Sequence, residues 1–153
     1  MMTGFDIRAA GSTELTRLLT LAAAFYLEDG FATPVSQLRD NLAFLLHSHA
    51  ARVAVAGRQH DIVGFAITTL SFGLEYGAIA ELEDLFVAPA SRGSGVATAL
   101  IDDSCDWARS RGCQALEVVV VPKANDVAHL VSYYAKRNFA DQGRKVLTRD
   151  LTR

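Results

Sequence analysis

The chain has 153 residues, half of them hydrophobic, with 15 Lys and Arg against 17 Asp and Glu and a formal net charge of −2. That length and apolar content suit one compact domain over 1–153 with a sizeable core, and the weakly acidic balance argues against a nucleic-acid surface, which needs a basic face. No apolar run is long enough to span a bilayer; the longest, 18–27, is too short, and Asp6, Glu14 and Glu28-Asp29 around it set it apart from a secretory signal.

In chain order, 5–9 reads as a first strand. Ser12 caps a helix with Glu14 in its first turn and Leu15, Leu18, Leu19, Ala22 and Tyr26 on one face, ended by Gly30. Thr33-Pro34 opens a second helix, with Val35, Leu38, Leu42, Leu45 and Leu46 as its apolar stripe. Strands follow at 52–56 and 62–72, joined by a hairpin at 57–61, and a turn between Gly73 and Gly77 leads into a strand at 79–87. A helix from Gly95 to about Ser110 turns Val96, Leu100, Ile101, Trp107 and Ala108 inward and Asp102, Asp103 and Asp106 outward, and Arg111-Gly112 closes it. The almost continuously apolar 115–121 suits a strand covered on both faces, so 79–121 forms a parallel crossover. A last helix at 126–137 and a last strand at 145–151 complete one α/β domain with a mixed sheet. Cys105 and Cys113 lie at no metal-like spacing, which predicts reduced thiols and a cytoplasmic protein. His47-Ser48-His49 does not converge on a helix, so no metal is expected there.

The chain is organised around 82–98, Leu-Glu-Asp-Leu-Phe-Val-Ala-Pro-Ala-Ser-Arg-Gly-Ser-Gly-Val-Ala-Thr. A helix N-terminus carries unpaired N–H groups and the positive end of the macrodipole. Here 93–99 holds no acidic residue, Arg92 precedes the turn, and Gly93 and Gly95 let a ligand approach the backbone. A phosphate or pyrophosphate pocket follows. A Walker loop is excluded because no lysine lies near. A dinucleotide fingerprint fits in part: Thr98 stands where a third glycine belongs, and Glu117 lies near the start of its strand. A nicotinamide-dependent oxidoreductase is therefore an alternative.

Arg92, Gly95 and Ala97 satisfy Arg/Gln-x-x-Gly-x-Gly/Ala, directly after Leu-Phe-Val-Ala-Pro. Far downstream, Tyr133-Tyr134-Ala135-Lys136-Arg137-Asn138-Phe139 is similar to Phe-Tyr-x-Lys-x-Gly-Phe. Both motifs resemble those of the GNAT family of N-acetyltransferases, over roughly 79–151. The resemblance implies a single domain with helices on both faces of a mixed sheet and a splayed parallel pair, 79–87 and 115–121, with the pantetheine of acetyl-CoA between them. Backbone groups of Leu85, Phe86 and Val87 would bind its amides, and Arg92, Gly93, Ser94, Gly95, Val96 and Ala97 would wrap its pyrophosphate. Asn125 resembles a further contact, although two extra residues separate it from Tyr134. Tyr134 falls at the general-acid position, and helical spacing with Val127, Leu130 and Val131 places it on the inward face. Asn138 replaces a glycine, and Asn also tolerates the left-handed conformation that ends helices.

Transfer of acetyl from a thioester to an amine needs a base for the ammonium and an acid for the departing thiolate. Alternation puts Glu81 and Glu83 on one strand face beside the turn, and Asp84 on the other unless a bulge re-aims it. Glu83 is the first candidate base, its position resembling that used by diamine acetyltransferases, with Glu81 the second. In the fold that the resemblance implies, the first two helices and the hairpin wall the acceptor side, which makes Phe25, Tyr26, Glu28, Asp29, Glu75 and Tyr76, with Asp84, the candidates for binding a cationic amine such as an aminoglycoside, a polyamine or an amino acid. A non-catalytic acyl-CoA sensor is the remaining alternative. An exposed edge strand or the last strand offers a route to a homodimer.

Overall fold

The structure, a computed structural model, describes residues 4–121 and 127–152. It divides into two compact units, 1–119 and 120–153. The first holds β1 (Asp6–Ala9), α1 (Leu15–Glu28), α2 (Val35–His47), β2 (Ala51–Arg58), β3 (Asp61–Gly73), β4 (Gly77–Val87), α3 (Val96–Ser110) and β5 (Leu116–Val118). Its sheet runs β1-β2-β3-β4-β5. Three pairings are antiparallel, and β4–β5 is parallel with α3 as the crossover.

Alternation along the strands sorts the residues into two layers. Val53, Val55, Phe65, Ile67 and Phe86 join Leu18 and Ala22 of α1 and Leu42 of α2 in one core. The other face carries small side chains, Ala54, Ala56 and Ala66, all fully buried. They let α3 approach closely. A Cβ at Gly64 would lie 3.0 Å from the Phe86 carbonyl oxygen, 3.2 Å from Val96 Cγ1 and 3.4 Å from Leu100 Cδ1. Two buried hydroxyls in this layer satisfy each other: Thr68 Oγ1 donates to Ser104 Oγ at 3.0 Å, and Ser104 Oγ to Leu100 O at 3.0 Å.

Several expectations shift. The acid at the start of α1 works from a 3-10 turn, Ser12–Glu14, where Glu14 accepts the Gly11 N–H at 2.8 Å and also bonds Arg8, so no Ser12 side-chain cap forms. Asp103 does not face outward, because Arg52 of β2 forks onto it, Nε to Oδ2 at 3.1 Å and Nη2 to Oδ1 at 2.7 Å. The strand expected over 115–121 is only Leu116–Val118, half-buried, with β4 as its single neighbour among the described residues.

The second unit holds α4 (Val127–Ala135). Asn138 adopts φ +68 after it, the left-handed conformation that its replacement of glycine requires. The strand expected over 145–151 does not form. Alternating apolar residues make a strand only with a ladder partner, and none of the described ladders includes them. Local acceptors engage the backbone at its two ends: Asp141 Oδ1 accepts the Gly143 N–H before it, and Asp150 Oδ1 the Thr152 N–H at its end, each at 2.8 Å.

Candidate active site

The site begins with a break in the β3–β4 ladder. Register runs from Gly73↔Gly77 to Thr68↔Leu82, then jumps to Ile67↔Asp84, leaving Glu83 as an extra residue. This is a β-bulge. Opposed residues share a face, so Asp84 points with Ile67 toward α1 and α2, whereas strict alternation would have sent it toward α3. Glu81 stands opposite Thr69 on the same face, and Thr69 Oγ1 donates to Glu83 Oε1 at 2.7 Å. Three carboxylates thus gather on one side. The parallel register adds a fourth that sequence reasoning did not place here: Glu117 of β5 stands opposite Glu81.

Crowding of like charges sets the proton affinities. The Glu81 carboxyl is pushed up to about 7, first by its hydrogen bond to Glu83, then by burial and the charges of Glu83 and Glu117. A carboxyl that exchanges its proton near neutrality has the property a general base needs. Asp84 is raised mainly by burial, and the hydrogen bond from Tyr26, Oη to Oδ1 at 3.3 Å, opposes that rise. Burial and the neighbouring Asp84 push the Tyr26 phenol up to about 12, so it acts as a donor.

The glycine turn lies just past β4. Gly93 and Gly95 adopt φ +77 and +86, and nothing lies within 4 Å of where their Cβ atoms would stand. Gly95 caps α3 with no side chain, and the first turn carries no acidic residue. Ser94 Oγ donates to Ser91 O, which tightens the loop. The cradle fits an anion on its backbone N–H groups. Upstream, among the described residues, β4 pairs with β5 over Ala80–Leu82. The Ala88 N–H donates to Val63 O at 2.8 Å, so by alternation Phe86 directs its backbone to β3 while Leu85 and Val87 turn theirs to the side that β5 leaves open.

The other candidates scatter. Phe25 packs in the core, 5.2 Å from Phe86 and 6.3 Å from Phe65 between ring centroids. Glu28 bonds Arg92, Nη2 to Oε2 at 2.9 Å, and Arg92 Nε donates to Val87 O at 3.0 Å. Asp29 is the C-cap of α1. Glu75 sits in the β3–β4 hairpin turn, beyond Gly77, and the four steps from Gly77 to Glu81 alone span roughly 13 Å of strand. Asn125 lies outside the described residues. Tyr134 belongs to the second unit, with ring contacts to Tyr133 at 5.2 Å and Phe139 at 5.4 Å. Burial raises its phenol pKa first, Tyr133 adds to the rise, and Arg137 opposes it. Among the described residues, no helix is long and apolar enough to cross a membrane.

An α/β domain with an anion cradle at a helix start, beside an acidic face that accepts protons near neutrality, belongs to the group-transfer class. The chain is a member of the acetyltransferase (GNAT) family, whose profile matches residues 15–139 and so spans both units. Its co-substrate is acetyl-CoA, and the oxidoreductase alternative falls. Consistent with this, Glu117 lies mid-strand against Glu81 rather than at a strand end where a ribose would be held. No curated protein sequence matches the chain. Among solved structures, it is similar to an integron cassette protein from the mobile metagenome of Cole Harbour Salt Marsh (27% identity, 96% of this chain and 91% of that one, TM-score 0.82). It also shares its fold with AAC(6')-Iy in complex with the bisubstrate analogue CoA-S-monomethyl-acetylneamine (21%, 95% and 97%, TM-score 0.80). A third neighbour is ribosomal-protein-alanine N-acetyltransferase from Brucella melitensis biovar Abortus 2308 (23%, 95% and 99%, TM-score 0.74).

Proposed function

We propose that this chain transfers acetyl from acetyl-CoA to a primary amine of a cationic small molecule, an aminoglycoside or a polyamine, by direct attack with both substrates bound. The bulge at Glu83 carries the proposal, because it collects Glu81, Glu83 and Asp84 on one face next to the open side of β4. The backbone of Gly93, Ser94, Gly95, Val96 and Ala97 holds the pyrophosphate, and Leu85 and Val87 offer their backbone groups to the pantetheine amides. The acceptor enters as an ammonium ion. Asp84, with Tyr26, attracts it; the Glu81–Glu83 pair takes its proton, directly or through water. The neutral nitrogen then attacks the thioester carbonyl. A C–N bond forms, the C–S bond breaks, and the thiolate takes a proton from Tyr134, the role its motif suggests; the second nitrogen proton, released as the amide forms, returns through water to the tyrosinate. The fold shared with AAC(6')-Iy, crystallised with an analogue built from CoA and neamine, supports an aminoglycoside among the first acceptors to try.

The test is release of free CoA from acetyl-CoA across kanamycin, neamine, spermidine, putrescine, lysine and peptide N-termini. A protein-only blank is needed for Cys105 and Cys113, both free thiols. Turnover with one amine class supports the reading and names the acceptor. Acetyl-CoA binding with no turnover on any amine favours a sensor, and no binding at all contradicts the proposal.

A further inference from the structure

One side chain links the glycine turn to the acceptor side. Arg92 stands immediately before Gly93, where an arginine beside a pyrophosphate cradle reads as a phosphate ligand. Its contacts run the other way. Nε donates to Val87 O at 3.0 Å, Nη2 donates to Glu28 Oε2 at 2.9 Å, and the guanidinium lies over the Phe86 ring at 5.5 Å. Glu28 is poorly placed on its own helix. It is the last residue of α1, where the negative end of the macrodipole repels a carboxylate, and Arg92 is what holds its pKa down. The same turn of α1 sets Phe25 against Phe86 at 5.2 Å and Tyr26 against Asp84 at 3.3 Å. Three successive contacts therefore fasten this turn to β4 and its exit, and Arg92–Glu28 is the outermost.

We propose that Arg92 is a positioning residue of the acceptor side: it straps the last turn of α1 to the end of β4, keeps Tyr26 on Asp84, and leaves the pyrophosphate to the backbone of Gly93–Ala97. This rests on the reading of Tyr26 and Asp84 as the acceptor wall. The arrangement needs a guanidinium. Two hydrogen bonds leave different nitrogens of one plane whose face covers an aromatic ring, and a lysine ammonium reproduces neither feature. Glu28 is engaged by Arg92, so attraction of the acceptor falls to Asp84 and the Glu81–Glu83 pair.

The experiment compares the full chain with R92Q, R92K, E28Q and the double variant R92Q/E28Q. Amide hydrogen exchange over 26–30 and calorimetric titration with acetyl-CoA are the two readouts. Each Gln variant speeds exchange by about two- to fivefold, the scale of a partly exposed ion pair. The double variant exchanges no faster than R92Q, R92K does not restore protection, and the acetyl-CoA Kd stays within about twofold throughout. With the best amine of the panel, KM rises severalfold in R92Q and E28Q at unchanged kcat. A tenfold loss of acetyl-CoA affinity in R92Q overturns the proposal, and so does unchanged exchange over 26–30 in both single Gln variants. Failure of the wild-type chain to bind acetyl-CoA would contradict the acetyl-transfer reading, while the exchange comparison would still decide whether the strap exists.

Discussion

The two faces of the sheet solve different problems. Toward α3 the strands present Ala54, Ala56, Gly64 and Ala66, a tight apolar fit interrupted by a buried hydroxyl pair and the Arg52–Asp103 fork. Toward α1 and α2 they present large side chains, Phe65, Ile67 and Phe86, and then at one bulge they present carboxylates. Close packing on the first face fixes the start of α3, and with it the glycine cradle. The proposed chemistry sits on the second face, where alternation fails. The scaffold and the proposed reactive groups are thus opposite surfaces of the same sheet.

Removing the reactive carboxyl is the sharpest way to separate the faces. Glu81→Gln lowers kcat by about 10²-fold or more, the contribution of a positioned base, while the acetyl-CoA Kd from calorimetry stays unchanged. The reverse change attacks the scaffold. Gly64→Val pushes a side chain into Val96, Leu100 and the Phe86 carbonyl, and overpacking of this kind costs about 1–3 kcal/mol, read as a fall in the urea midpoint. A smaller effect comes from proton linkage. Glu81 titrates in the folded chain near 7, above its ordinary 4.5, so the fold loses stability as pH rises between those values. Glu81→Gln is therefore more stable than wild type at pH 8 by about 1 kcal/mol, after discounting for solvent screening, and the difference vanishes below pH 4.5 in urea melts. Smallest is Tyr26→Phe, which deletes one hydrogen bond to Asp84. It raises the acceptor KM about threefold to fivefold with kcat unchanged.

Local signals made much of this legible in the sequence. The glycine turn, the helix after it and the parallel crossover are written in residues close along the chain, and the Glu81-x-Glu83 spacing already placed two carboxylates on one face. Asn138 announced its left-handed backbone by replacing a glycine. What the sequence withheld depends on register. Nothing in Leu82-Glu83-Asp84-Leu85 marks the bulge, since no glycine stands there, and only its partner strand shows which residue is extra. Glu117 joins the acidic face through the offset between β4 and β5, although its place on a strand leading from the same crossover was a usable signal. Glu28 looked like an acceptor ligand because the arginine that engages it lies 64 positions away. The alternation at 145–151 reads as a strand, but periodicity does not supply a ladder partner.

The central claim is that the bulged acidic face deprotonates the amine. Its most direct test is the pH dependence of kcat/KM for the best amine of the panel, in wild type and in Glu81→Gln. The wild-type profile should rise about tenfold per unit below an apparent value near 7 that belongs to the Glu81–Glu83 pair, and then level before the amine's own ionisation takes over. That limb should be absent from the variant. A profile without a limb near 7, or the same limb retained in Glu81→Gln, would contradict the account.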